Sequence, residues 1–223
     1  MHFVFDVAKR VSRANGTLSG IKRPFMTGIS SICVYCGSGP GNDPAYLEAA
    51  ARLGKSLADH KIALVYGGAN VGLMGMVARS VLEHGGYVTG IIPEFLKNRE
   101  LMLDSIQETI TVDDMHTRKR LMFERADAFI ALPGGIGTLE ELVEQMTWAQ
   151  LGQHKKPILL LDVKEFWQPL LTLLAHMRQA HFIRDGLEVN YMVTEKPEDA
   201  VPILLDSLSR QAPASPTPLI ARM

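Results

Sequence analysis

The sequence predicts an α/β fold: a doubly wound, mostly parallel sheet flanked by helices, in one Rossmann-like domain. Three observations carry this expectation. Short apolar runs alternate with helical patterns, the rhythm of parallel βαβ units covered on both faces. Several of those runs end in glycine-rich turns that open into a helix. The chain has 223 residues, enough for one sizeable core but short of the ~250 usual for a closed eight-fold barrel.

The elements follow in order. "SICVYCG" (31–37) reads as a first strand, followed by a helix over 44–60. "IALVYGG" (62–68) is a second strand, with a helix opening near Gly72. "YVTGIIP" (87–93) is a third. "ETITVDD" (108–114) alternates like a fourth, and "MHTRKRLMFERA" after it is helical. "AFIALPG" (128–134) is a fifth strand, with a helix over 138–151. "PILLLD" (157–162) is a sixth, then a helix near 165–180. "YMVTE" (191–195) is a short last strand before a final helix.

Composition narrows the classes. Hydrophobic residues make up 47% and charged residues 21%, ordinary for a globular protein. A net charge of −1 provides no general attraction to nucleic acid or an anionic membrane, so neither partner is expected. The longest apolar run, "KKPILLLDV", falls far short of the ~20 residues needed to span a bilayer. Cys33 and Cys36 are spaced C-x-x-C, but on a strand they point to opposite faces, and no second pair completes a zinc site. They read as core thiols in a reducing cytoplasm.

Residues 1–28 carry Lys9, Arg10, Arg13, Lys22 and Arg23 against Asp6, a net of +4, with an apolar segment too short for a secretory signal. This extension reads as a poorly packed arm or short helix; an organelle address is the alternative. Residues 29–208 form the domain, and the proline-rich 209–223 reads as a disordered tail.

In an open α/β sheet, ligands bind beyond the carboxyl ends of the strands. The exit loops are "CGSGPGND", "GGANVGLMG", "IPEFLKNRE", "DDMHTRKR" and "PGGIGTLEE", and three of them are glycine-rich. Such turns aim backbone N–H groups and a helix dipole at an anion. The glycines of "GGANVG" do not match the dinucleotide fingerprint and no P-loop occurs, so a mononucleotide fits better than a dinucleotide or NTP.

In "MHTRKR", Arg118 can fork two hydrogen bonds onto a phosphate or carboxylate, and Lys119 adds a second charge. The same run also reads as a solvated helix face. His116 has no partner spacing for a metal, and no metal or cofactor is expected. In "PGGIGTLEE", Thr138 and Glu141 form the T-x-x-E signature of a reciprocal capping box. Glu140 and Glu144 suit the first turn and exposed face, and Leu142, Val143 and Met146 suit the core stripe.

Taken together, "MHTRKR", "PGGIGTLEE", "TWAQLG", "YGGANVGLMG" and "AFIALPGG" resemble the LONELY GUY family over about residues 30–206. Its members are cytokinin riboside 5′-monophosphate phosphoribohydrolases, and related bacterial proteins carry a lysine decarboxylase label. The resemblance implies a Rossmann-like homodimer that binds a nucleoside monophosphate. It would cleave the N-glycosidic bond to free base and ribose 5-phosphate.

By motif position, Arg118 and Glu141 are the implied catalytic pair. Lys119, Gly134, Gly135, Ile136, Gly137 and Thr138 form the implied nucleotide cradle, while Glu100 and Thr147 match substrate-binding positions. Gly37, Ser38, Gly67, Gly68 and Met74 line the same implied pocket. Ile136 stands where plant members usually have tyrosine, and Thr117 and Arg120 flank the Arg-Lys pair in place of commoner residues. These departures leave the preference between prenylated and plain adenine open.

Cleaving a glycosidic bond builds oxocarbenium-like charge on the ribose, which a carboxylate stabilises. That role falls to Glu141, with Arg118 orienting the ribose or phosphate. Glu94, Glu100 and Asp114 are candidates for an acid on the leaving base. A non-catalytic nucleotide carrier is the alternative, and a DNA-processing Rossmann protein is disfavoured by the charge. Lysine decarboxylation lacks a context for a Schiff-base lysine.

Overall fold

The computed structural model describes residues 28–97, 103, 105–184 and 186–211. Its strands are β1 (Ser31–Tyr35), β2 (Ala63–Tyr66), β3 (Val88–Pro93), β4 (Glu108–Val112), β5 (Ala128–Ala131), β6 (Ile158–Leu161) and β7 (Met192–Thr194). They form one sheet in the order β4-β3-β2-β1-β5-β6-β7, and every adjacent pair is parallel. The helices are α1 (Pro44–Asp59), α2 (Gly72–Glu83), α3 (Glu94–Lys97), α4 (Met115–Arg125), α5 (Ile136–Gln150), α6 (Gln168–Gln179) and α7 (Pro197–Gln211).

Period-2 strands inside a two-faced sheet divide the core in two. On one side Leu53 and Leu57 of α1, Val77 of α2 and Leu204 of α7 pack on Ile32, Val34, Leu64 and Ile130. On the other, Met122 of α4, Leu142 and Met146 of α5 and Trp167 pack on Cys33, Tyr35, Val65 and Phe129. Cys36 belongs to the first cluster and Cys33 to the second, both as buried free thiols, so the predicted divergence of the two sulfurs holds. The sheet edge at β4 alternates between half-buried and exposed positions, as its sequence pattern implies.

Local chemistry sets the helix starts. Asp43 accepts from Ala45 N at 2.8 Å, with Pro44 in the first turn, and so begins α1. Asp114 accepts from Thr117 N at 2.8 Å and begins α4. The structure adds the short α3 and a 3-10 turn at Val163–Glu165, neither of which periodicity reveals in so few residues. The last helix continues past the expected boundary at 208, carrying an i,i+4 ion pair between Asp206 and Arg210. Residues 1–27 and 212–223, with most of the expected arm and tail, lie outside the described residues.

Candidate active site

From β1 the chain steps outward to β4, then returns to the other side of β1 to lay down β5. The carboxyl ends of β1 and β5 therefore flank the switch point where open α/β sheets bind ligands. Their exit loops are stitched together there. Gly37 N donates to Pro133 O at 3.0 Å, and Gly37 O accepts from Leu73 N at 3.1 Å and Met74 N at 3.3 Å.

Those bonds decide which glycine-rich exit is open to an anion. The first amides of α2 already donate to Gly37, and the start of α1 carries the Asp43 carboxylate. The start of α5 has Gly135 as its N-cap and no side-chain cap. An added Cβ at Gly135 or Gly137 would meet nothing within 4 Å, so this backbone is open to close approach. At Gly134 a Cβ would lie 2.2 Å from Thr138 Oγ1, and only glycine fits beneath that hydroxyl.

The capping box expected of Thr138 and Glu141 does not form. The helix starts at Ile136, two residues earlier, because extended Gly135 serves as its N-cap. Thr138 is thus inside the first turn, and Glu141 faces inward with only 6% exposure.

Glu141 meets Arg118, which is 5% exposed. Arg118 Nε donates to Ile91 O and its Nη2 to Gly67 O, both at 3.1 Å. Nη1 lies 3.9 Å from Glu141 Oε1. The guanidinium expected to fork onto a ligand is instead anchored to the edges of β2 and β3, with one nitrogen turned toward the carboxylate. Gly67 makes room for it, since a Cβ there would lie 2.2 Å from Nη2. Burial pushes the Glu141 carboxyl up to about 7, with Arg118 opposing.

Lys119 differs from its expected place in the cradle. Its ammonium pairs with Glu140 and, at 3.0 Å, with Glu144, clamping α4 to α5. Burial pulls its pKa down, but the hydrogen bonds to both glutamates prevail and raise it. Glu140 and Glu144 therefore serve this clamp as well as the helix surface. Val143 is exposed and does not join Leu142 and Met146 in the core.

The remaining predicted positions fall as follows. Ser38 is exposed on the β1 exit, and Met74 lies close to Gly67. Gly68 has φ +87 with Ile92 against it, a conformation that favours glycine. Ile136 is 82% exposed at the first residue of α5. Thr147 is on the exposed side of α5, its hydroxyl donating to Val143 O at 2.7 Å. Glu100 lies outside the described residues. His116 is exposed, and no metal-binding cluster occurs among the described residues.

The family model described as "Possible lysine decarboxylase" matches residues 74–204, more than half of the chain. The chain belongs to this family. Its relatives include the cytokinin riboside 5′-monophosphate phosphoribohydrolase LOG7 of Arabidopsis thaliana, 54% identical over 143 residues. That match covers 64% of this chain and 66% of the relative, about two thirds of its length. A probable enzyme of the same name from Oryza sativa subsp. japonica, LOGL2, is 43% identical over 82% of this chain and 73% of its own. These relatives carry the name that the sequence resemblance anticipated.

Among solved structures, the molybdenum cofactor binding protein from Rippkaea orientalis superposes with a TM-score of 0.60. It is 24% identical over 85% of this chain and 99% of its own, a likeness of fold. The molybdenum cofactor carrier protein of Chlamydomonas reinhardtii is similar at a TM-score of 0.58 and 21% identity, over 81% and 98% of the two chains.

A separate cavity of about 350 Å³ opens at the amino-terminal edge of the sheet, lined by residues including Ser31, Glu108, Arg125 and Asp127. Its polar groups satisfy one another. Arg125 grips both oxygens of Glu108, and Asp127 Oδ2 accepts from Ser30 and Ser31. This is the wrong edge for the switch-point chemistry.

Proposed function

We propose that this site hydrolyses the N-glycosidic bond of adenosine 5′-monophosphates, including cytokinin ribotides, to free base and ribose 5-phosphate. The observation that carries the reading is the buried Arg118–Glu141 pair beside the uncapped start of α5. Helix amides and dipole hold the 5′-phosphate there, with Thr138 beside it. The phosphate contact fixes the ribose over the catalytic pair and so favours nucleotides over nucleosides.

In the reaction a water oxygen bonds to C1′ while the electrons of the C1′–N bond pass to the base. The Glu141 carboxylate stabilises the cationic sugar and takes the proton released by the water, and the base is protonated from solvent. Arg118, anchored to two carbonyls, keeps that carboxylate oriented and opposes its protonation. The relatives' name agrees with this activity. A carrier has no need of a buried carboxylate facing a fixed arginine. Lysine decarboxylation finds little support, because Lys119 is paired to two glutamates and held protonated.

The working form is a cytoplasmic homodimer without nucleic-acid partners. α5 exposes Ile136 and Val143, Leu151 is exposed just past its end, and α6 exposes Leu173 and Met177 with no residue of its own buried, an apolar surface suited to a second copy. No helix among the described residues is long and apolar enough to cross a membrane. Incubation of the purified protein with AMP and isopentenyladenosine monophosphate, followed by chromatography, tests the reading. Release of free base with ribose 5-phosphate is expected; tight nucleotide binding without base release over hours would leave a carrier.

A further inference from the structure

Gln145 is the most anomalous polar residue of α5. It is fully buried, and neither its Nε2 nor its Oε1 has a hydrogen-bond partner. Its backbone carbonyl accepts from His154 Nε2 at 3.1 Å, a bond in which the side chain takes no part. A buried amide without partners costs the full desolvation of both atoms, so an apolar side chain would pack at this position with less strain on stability.

Its place on the helix supplies a reason. Thr138, Glu141 and Gln145 form a buried polar stripe at i, i+3 and i+7, running inward from the open end of α5. Residues i and i+4 on a helix have Cβ atoms about 5–6 Å apart, within direct reach of two long side chains. The Glu141 carboxylate has its nearest arginine nitrogen at 3.9 Å, beyond hydrogen-bond distance. An amide lacking an acceptor thus sits one turn from a carboxylate lacking a short donor.

We propose that Gln145 is a positioning residue for Glu141, its amide N–H donating to the carboxylate and holding it toward Arg118 during turnover. This rests on the proposed glycosidic hydrolysis and adds a residue that no motif marks. The charges facing Glu141 are Arg118 and Lys119 of α4 and Glu140 and Glu144 of α5. From β1 and its exit, Cys33, Tyr35 and Cys36 also act on it, and burial raises the pKa of all three well above the ordinary range, so they stay neutral. Glu141 is therefore the group whose titration Gln145 governs.

The test compares full-length wild type with Gln145→Met and Gln145→Asn. One readout is the ¹³C NMR titration of the Glu141 carboxyl, assigned by its loss in Glu141→Gln. The other is the pH–rate profile of adenine release from AMP. Removing the donor in the Met variant moves the Glu141 midpoint upward by about one pH unit. Activity below neutral pH then falls by up to about tenfold, with KM changed by no more than about twofold. Its melting temperature stays equal or rises, since two buried polar atoms are gone. The Asn variant, which keeps a shorter amide, falls between, and carries the test if the Met variant does not fold.

An unmoved carboxyl midpoint in the folded variants would overturn the proposal and leave Gln145 as packing. A wild type that releases no base from either AMP or isopentenyladenosine monophosphate would instead overturn the proposed function, while the NMR midpoint still decides the role of Gln145.

Discussion

Arg118 Nη1 and Glu141 Oε1 face each other at 3.9 Å, while the rest of the guanidinium is held by the carbonyls of Gly67 and Ile91. The arginine is thus close enough to orient the carboxylate and too firmly tied to close on it. Burial therefore wins over attraction, and the Glu141 carboxyl is pushed up to about 7. A group poised there responds to small changes in its surroundings.

The first consequence is a pH profile. Base release should rise with pH through about 7 as Glu141 ionises, and this limb should vanish in Glu141→Gln along with at least about a hundredfold of activity. Stability runs the other way. The folded protein holds this proton more tightly than the unfolded chain, whose carboxyl titrates near 4.5, so the contribution is full below that value and is lost as pH rises through about 7. Glu141→Gln should accordingly melt above wild type at pH 8, with the gap closing toward pH 5. Differential scanning calorimetry at both pH values checks the sign, and a less stable variant at pH 8 would refute it.

Gly67 tests the anchoring. A methyl group there would lie 2.2 Å from Arg118 Nη2, so Gly67→Ala must push the guanidinium off the sheet edge. The expected result is a folded protein destabilised by about 1–3 kcal/mol. Its kcat for base release should fall by at least about tenfold. Denaturant unfolding alongside steady-state kinetics separates the two effects.

The open start of α5 predicts phosphate dependence. Adenosine should be cleaved at least about a hundredfold less efficiently than AMP, because the contact that positions the ribose is missing. Ribose 5-phosphate should inhibit competitively, and Thr138→Val should raise KM for AMP more than it lowers kcat. Equal efficiency on nucleoside and nucleotide would remove the phosphate from that helix end.

Lys119 lowers the Glu141 pKa and clamps Glu140 and Glu144. Lys119→Met should therefore shift the acid limb of base release to higher pH. It should cost about 1 kcal/mol of stability, the pairs being partly exposed, by denaturant unfolding. An unshifted limb would mean that the ammonium's charge is screened from the site.

Much of the fold was legible in the sequence. Strand and helix periodicities anticipated β1 to β7 and the long helices, because burial on both faces of a parallel sheet imposes apolar runs that local pattern reveals. The glycine exits were legible as motifs and the family was legible from the resemblance, which also implied a pairing of Arg118 with Glu141, and these two side chains approach to 3.9 Å. The errors cluster where three-dimensional partners override local preference. Thr138 and Glu141 had the spacing of a capping box, but an inward arginine and an extended Gly135 turned the glutamate into the core. Val143 matched the core stripe yet faces outward, and Lys119, which the resemblance placed in the cradle, pairs with two glutamates.

The sequence by itself therefore determined the sheet, the edge where a ligand would sit and the candidate residues for its chemistry. Only the tertiary structure decided which of the glycine-rich exits keeps its amides open, because Gly37 O and Asp43 occupy the other helix ends across the crevice. It also decided that Glu141 is buried and Gln145 left without partners. Desolvation and hydrogen-bond satisfaction depend on neighbours far apart in the chain, and no local pattern encodes them.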